Sequence, residues 1–289
     1  MSQQATLGGE PLSPAAESAA RDQYAVETDI QRGDLILLGR HRLLCGNSTM
    51  SGEIDTLLDG AAIDCLLTDP PYCSGGFQEA GRTAGSIGCE GGRHKILYDT
   101  LSTRGYQTLL RGVLDCVAPM AAYLFTDWRM WVTLSDLVEM AGYGVRQMIV
   151  WNKGAMGMGT GWRSQHELIL HARLSGAEKA LDLHYSRGNV LSYPRTGNKY
   201  HPTEKPIGLI KDILYVTQGA ATICDPFAGS GTTILACEEM ARTCYAMELS
   251  PAFCQIATNR WERQTGERAE IIPGQNHSET PDRFAEAAP

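Results

Sequence analysis

Apolar and polar positions along this chain fall into short blocks whose period changes repeatedly, and the period assigns most of the elements. "GDLILLGRHRLLCGNST" (33–49) holds two short apolar runs around a tight Gly39-Arg40 turn, which predicts a β-hairpin. "MSGEIDTLLDG" suits a short helix, and "AIDCLLT" is an apolar run of the length of a buried strand. Residues 73–95 are glycine-rich and have no period, so they predict a long loop. A helix near 105–117, a strand at 121–126, a helix near 129–141 and strands at 145–153 and 166–172 follow. Residues 181–193 read as a small hairpin around Ser186-Arg187-Gly188-Asn189, and 203–218 as a helix. "ATICDPF", "GTTILACEEMA", "TCYAMEL" and "SPAFCQIATNRWERQ" then alternate strand, helix, strand, helix.

That alternation predicts an α/β fold: a doubly wound, mostly parallel sheet with helices on both faces and right-handed crossovers. No internal repeat is visible. One domain over about 29–272, between flexible segments at 1–28 and 273–289, fits the composition. With 43% hydrophobic residues the chain can bury a real core. No run reaches the ~18 apolar residues of a membrane span. The first residues lack the basic, apolar and cleavage pattern of a signal peptide. The nine cysteines are scattered and include no C-x-x-C, which favours buried reduced thiols in a cytoplasmic protein over disulfides or zinc. A formal net charge of −8 argues against a protein that coats nucleic acid nonspecifically, but it leaves room for a local basic groove.

Two stretches carry candidate chemistry. "LLTDPPYCSGG" (66–76) ends an apolar run on Asp69-Pro70-Pro71-Tyr72. Proline cannot continue a strand ladder, and two of them fix a carboxylate and an aromatic ring in a nearly constant relation. "ICDPFAGSGTT" (223–233) is a strand, a turn of small residues and a helix start. Gly229 and Gly231 let a ligand approach the backbone, and the helix aims amide hydrogens at it. A tight strand–helix turn with no ligand has the same shape. Glu248, at the next strand end, lies where an acid can hydrogen-bond a ribose diol, so the pair points to an adenosine-containing ligand. "HELILH" has one residue too many for a zinc H-E-x-x-H site. Trp128, Trp131 and Trp151 read as core or interface aromatics before a stacking cage.

Together, "DPPY" and "DPFAGSGTT" resemble the amino-methyltransferases that modify exocyclic nitrogens of DNA bases with S-adenosylmethionine. The catalytic motif precedes the cofactor loop, which is similar to the β-type order. "KYHPTEKP" (199–206), "VWNK" (150–153) and "HELIL" (166–170) fit the same pattern, and the resemblance covers roughly 33–265. It implies a seven-stranded-type methyltransferase sheet, base flipping, DNA as partner and S-adenosylhomocysteine as product. By resemblance, Asp69, Pro70, Pro71 and Tyr72 are catalytic. Asp225, Phe227, Gly229, Ser230, Gly231 and Thr232 line the cofactor, and Glu248 binds its ribose. Thr203 and Lys205 hold its carboxylate, and Asn47 stands where relatives carry an adenine-contacting Asp.

The glycine-rich stretch gives an expected mobile loop over 73–104, and the resemblance places a small target-recognition insertion at 154–198. Arg82, Arg93 and Lys95 in the first, Arg163 and Arg195 in the second, and Lys199 just after it are candidate DNA contacts; solvated surface charge is the alternative. Asp as the first motif residue favours adenine N6, with cytosine N4 as the alternative. A catalytically silent nucleic-acid-binding relative is a further one. Glutamine-side-chain methyltransferases usually carry the two motifs in the opposite order. A nicotinamide or flavin oxidoreductase would need the full glycine fingerprint early in the fold. β-type relatives often dimerise, so the resemblance allows a homodimer.

Overall fold

The computed structural model describes residues 26–71, 103–157, 161–178, 180–181 and 185–274. The elements are β1 (Leu35–Leu38), β2 (His41–Cys45), α1 (Ser51–Leu58), β3 (Cys65–Thr68), α2 (Thr103–Val117), β4 (Ala121–Thr126), α3 (Trp131–Met140), β5 (Gly144–Asn152) and β6 (His166–Arg173). They continue with β7 (Val190–Ser192), α4 (Ile207–Tyr215), β8 (Thr222–Asp225), α5 (Thr232–Glu239), β9 (Thr243–Glu248), α6 (Pro251–Thr265) and β10 (Glu270–Ile272).

All ten strands form one sheet in the order β10-β1-β2-β9-β8-β3-β4-β6-β5-β7. From β2 to β4 every neighbouring pair is parallel, and β6 enters antiparallel between β4 and β5. The stretch β2-β9-β8-β3-β4-β6-β5 is a seven-stranded body. β1 and β10 extend one edge and β7 the other.

Period-two alternation sends the interior strands' side chains to both faces. Tyr123 and Phe125 of β4 join a core with α4, α5 and α6, while Ala122 and Leu124 join one with α1, α2 and α3. Burial on both faces explains why β3 and β4 read as continuous apolar runs. α2 buries Tyr106, Leu109, Leu110, Val113, Leu114 and Val117, a single helical stripe. α6 has a complete set of end signals: Ser250 caps its start, Pro251 follows, and Gly266 ends it in the left-handed region at φ 78°.

Three expectations need correction, and one strand went unforeseen. The 181–193 segment shows no hairpin among its described residues: the strand there, β7, pairs parallel with β5. The Trp151 indole N–H donates to the Tyr193 carbonyl at 2.8 Å and holds it there. The segment 154–198 is not an insertion, since it contains β6, an interior strand of the sheet. The helix expected from 203 starts at Ile207, because Pro206 keeps an extended conformation and restrains the residue before it. β10 had no apolar run to announce it; all three residues are exposed and pairing with β1 alone makes them a strand.

Among the described residues no helix is long and apolar enough to cross a membrane. The seven cysteines described are free, and six of them are buried.

Gly231 caps α5 at φ 79°, and a Cβ there would lie 2.7 Å from the Cβ of Ala257 on α6. Gly231→Ala is expected to destabilise the fold by about 2–3 kcal/mol, combining left-handed strain with overpacking. A lower urea midpoint at unchanged slope is the readout.

Candidate active site

Chain order reverses between β8 and β3: from β3 the chain proceeds outward to β4, and from β8 outward to β9. The loops at the carboxyl ends of two such parallel strands part and leave a crevice. Here that crevice is a cavity of about 460 Å³. Asp69, Pro70 and Pro71 line it from β3, Asp225 to Ser230 from β8, Glu248 from β9, and 201–205 from the segment ahead of α4.

A side-chain hydrogen bond links the two paired strands at their cavity ends. The Thr68 hydroxyl donates to Asp225 Oδ1 at 2.6 Å, and Phe227 N–H reaches the same oxygen at 3.2 Å. Thr233 donates to Asp225 Oδ2 at 2.6 Å. Burial raises the Asp225 carboxyl above its ordinary value, and these bonds hold it back. Both oxygens of Asp225 therefore brace the corner where β8 becomes the glycine loop.

Glu248 closes the other side. Its Oε2 accepts from Gly229 N–H at 2.9 Å and its Oε1 from Ser250 N–H at 2.8 Å. A carboxylate has further lone pairs to offer, and this one lines the cavity. Burial pushes it up to about 7. Gly229, at φ 52°, faces the His201 ring, which would lie 3.3 Å from an added Cβ. His201 also packs on Phe253, with ring centroids 4.3 Å apart. Burial holds this imidazole down at about 4, so the ring is neutral, and Nδ1 accepts from Thr203 N–H at 3.2 Å.

Asp69 has its two oxygens in different situations. Oδ2 receives the ammonium of Lys205. Oδ1 is buried and has no hydrogen-bond partner among the described residues. Burial pushes this carboxyl up to about 6 against the pull of Lys205. Lys205 departs from its expected place at a ligand carboxylate: it is buried, binds Asp69, lies 3.5 Å from Glu167 Oε2 and donates to the Thr203 carbonyl at 3.3 Å. Its ammonium also stands over the Phe125 ring at 5.0 Å. Two protein carboxylates claim the charge, so none of it is left uncommitted.

The remaining expected residues divide. Phe227 and Asn47 line the cavity, with Asn47 Oδ1 accepting from Thr49 N–H and hydroxyl at 3.0 and 2.8 Å. Ser230 and Thr232 line it too, yet their hydroxyls lie 2.8 and 3.4 Å from the Arg260 guanidinium. Gly231 lies behind the loop against α6. Arg163, Arg195 and Lys199 are exposed and outside the lining. Tyr72, Arg82, Arg93 and Lys95 lie outside the described residues. Among those described, no group of three His, Cys, Asp or Glu side chains could hold a metal. His171 stacks on Tyr123 at 4.5 Å, Trp151 is buried and Trp128 exposed.

Sequence reasoning did not single out Glu167, His201, Phe253 or Arg260. Glu167 had a signal, an acid opening the apolar run "HELIL", where a buried charge needs a partner. Arg260 had none beyond its place on the inner side of α6.

The profile of the N6/N4 DNA methylase family matches residues 63–259. The YubD protein of Escherichia coli (strain K12) is 27% identical over 205 residues, covering 70% of this chain and 82% of that protein. Among solved structures, the M1.HpyAVI–SAM complex is similar at 21% identity and TM-score 0.50, covering 73% of this chain and 95% of that one. The cytosine-N4-specific PvuII DNA methyltransferase is similar at 13% identity and TM-score 0.51, covering 80% and 94%. The two structural likenesses speak to the fold, and the profile spans both strand ends that shape the cavity. The chain belongs to the N6/N4 DNA methylase family.

Proposed function

We propose that the protein transfers a methyl group from S-adenosylmethionine to the exocyclic amino group of adenine in DNA, with the target base flipped out of the duplex. The observation that carries this reading is Asp69 Oδ1, a buried acceptor without a partner, in the same cavity as Glu248 and the glycine loop. A carboxylate oxygen left so is costly unless a donor arrives.

An exocyclic amine is a poor nucleophile because its lone pair is delocalised into the ring. Asp69 Oδ1 accepts one amino hydrogen and the Pro70 carbonyl the other, which favours a tetrahedral nitrogen with its lone pair free. The cofactor supplies an electrophilic methyl on a sulfonium. With the cofactor bound, its methyl would pass to the nitrogen while the carbon–sulfur electron pair stayed on sulfur, and Asp69 would meet the positive charge gained by the nitrogen. The nitrogen then gives its surplus proton to Asp69 or to water. Tyr72, next along the chain, offers a stacking face for the base, worth about 1–3 kcal/mol against the cost of extruding it.

The residues fit the cofactor. Glu248 has lone pairs left for ribose hydroxyls, Gly229 permits close approach, and His201 with Phe253 gives an apolar wall. Ionised Glu248 accepts those hydroxyls better than the neutral acid. With its carboxyl near 7 in the free protein, affinity for S-adenosylhomocysteine is expected to strengthen by up to about tenfold per unit as pH rises from 6 to 7, then to level off. Calorimetry across pH 5.5–8.5 checks this, and Glu248→Gln should flatten the slope. For the ligand-free fold the sign is opposite. A raised carboxyl contributes stability fully below its unfolded value of 4.5, and that contribution is lost as pH rises through about 7.

The test is nucleoside analysis of unmethylated genomic DNA after incubation with protein and cofactor. N6-methyladenine is expected. N4-methylcytosine would move the acceptor to cytosine, whose amine meets the same pair of acceptors. No methylated nucleoside at all would favour a silent nucleic-acid-binding protein.

A further inference from the structure

Four charged side chains meet beside the cavity and alternate in sign: Lys153, Glu167, Lys205 and Asp69. They come from the end of β5, from β6, from the segment ahead of α4 and from the end of β3. Glu167 binds Lys153 through Oε1 and faces Lys205 with Oε2 at 3.5 Å. Lys205 in turn covers Asp69 Oδ2. Side-chain exposure is 8% for Lys205, 16% for Glu167 and 10% for Lys153, so the row lies largely out of solvent. The faces of Phe125 and Trp151, at 5.0 and 5.9 Å from the Lys205 ammonium, wall it in further.

Burying four charges for stability alone is a poor design, because apolar packing would serve as well or better. The row does have one asymmetric consequence. It ends on Asp69, and it fills one oxygen of that carboxylate while leaving the other unpartnered at the cavity. We propose that Lys205 and Glu167 are positioning residues for methyl transfer: Lys205 covers Asp69 Oδ2 so that Oδ1 alone is presented to the amine, and Glu167 fixes Lys205 in that place. The inference rests on the methyl-transfer reading above.

The arrangement also sets the charge state of Asp69 through opposed neighbours. Burial and the carboxylates of Glu167 and Asp225 push Asp69 towards its neutral form, while the Lys205 ammonium keeps it ionised. Lys153 lies beyond Glu167 in the row and pairs with it. Removing Lys205 and removing Glu167 should therefore move the Asp69 titration in opposite directions. A role confined to packing would not do so.

The experiment uses the full chain and single-turnover methylation at saturating cofactor and DNA, from pH 5 to 9, for wild type, Lys205→Gln, Lys205→Arg and Glu167→Gln. Wild type should lose rate below about pH 6, as Asp69 protonates. Lys205→Gln should move that acid limb up by about one unit or more and cut the plateau rate at least about tenfold. Glu167→Gln should move the limb down. Lys205→Arg should stay close to wild type in pH profile, because it restores a cation between the two carboxylates. The same shifts read by carbon-13 NMR of the labelled Asp69 carboxyl need no catalysis, and thermal melts identify any variant that does not fold. If Lys205→Gln fails to fold, a lowered acid limb in Glu167→Gln beside an unmoved one in Lys205→Arg carries the test. Equal acid limbs in all variants, or Lys205→Gln and Glu167→Gln moving the same way, overturn the proposal. A wild type that methylates no DNA defeats the methyl-transfer reading instead, while the NMR shifts still decide whether the charge row governs Asp69.

Discussion

Asp69→Ala should lower the single-turnover rate of methyl transfer by about a thousandfold, at the upper end of what removing one preorganised charge-stabilising group costs. Cofactor affinity should change little, because Glu248, Gly229, His201 and Phe253 belong to β9, the loop after β8, the segment ahead of α4 and α6, not to the end of β3. The fold should survive, since Lys205 keeps Glu167 as a counter-ion at 3.5 Å. Asp69→Asn is the more discriminating variant. It keeps an acceptor oxygen and loses the charge, so its rate should fall between alanine and wild type, about a hundredfold down. A variant of either kind with wild-type rate would remove the carboxylate from the chemistry.

The second large effect is on the frame of the cavity. Arg260, on α6, donates to the Ser230 carbonyl and hydroxyl at 2.8 Å each and pairs with Glu204 at 3.1 Å. Glu204 also accepts from Thr196 at 3.0 Å, and it precedes Lys205 in the chain. One guanidinium thus fastens the glycine loop to the segment that carries the Lys205 ammonium. Both partners are buried, so Arg260→Ala would strand a carboxylate. The expected loss is about 3–5 kcal/mol, the range for breaking a buried pair from one side. The exposed pair Arg268–Glu262, at 3.1 Å, gives the contrast: Arg268→Ala should change stability by under about 1 kcal/mol. Denaturant unfolding of the two variants side by side makes the comparison. Arg260→Ala should also weaken cofactor binding, since the loop that shapes the cavity loses its anchor.

The frame of this fold was legible because most strands announce themselves locally. β3 and β4 are apolar runs, and each ends on a polar or turn signal. The site was legible where a local rule had to be broken: two prolines at a strand exit, and small residues between β8 and α5. β7 and β10 were misread or missed because three-residue edge strands owe their form to the strand beside them. The charge row at Asp69 was illegible for a different reason. Lys205 and Asp69 are separated by 136 positions, and Lys153 and Glu167 by 14, so no spacing rule links them. The resemblance assigns Lys205 to a ligand carboxylate, where a cation makes electrostatic sense. Only the fold shows the two carboxylates that claim it.

A co-crystal with S-adenosylhomocysteine addresses the central claim most directly. The account predicts its ribose hydroxyls on Glu248, its adenosine beside His201 and Phe253, and its sulfur turned towards Asp69 Oδ1, with room between for one amino nitrogen. A ligand seated elsewhere, or one whose sulfur points away from β3, would contradict it.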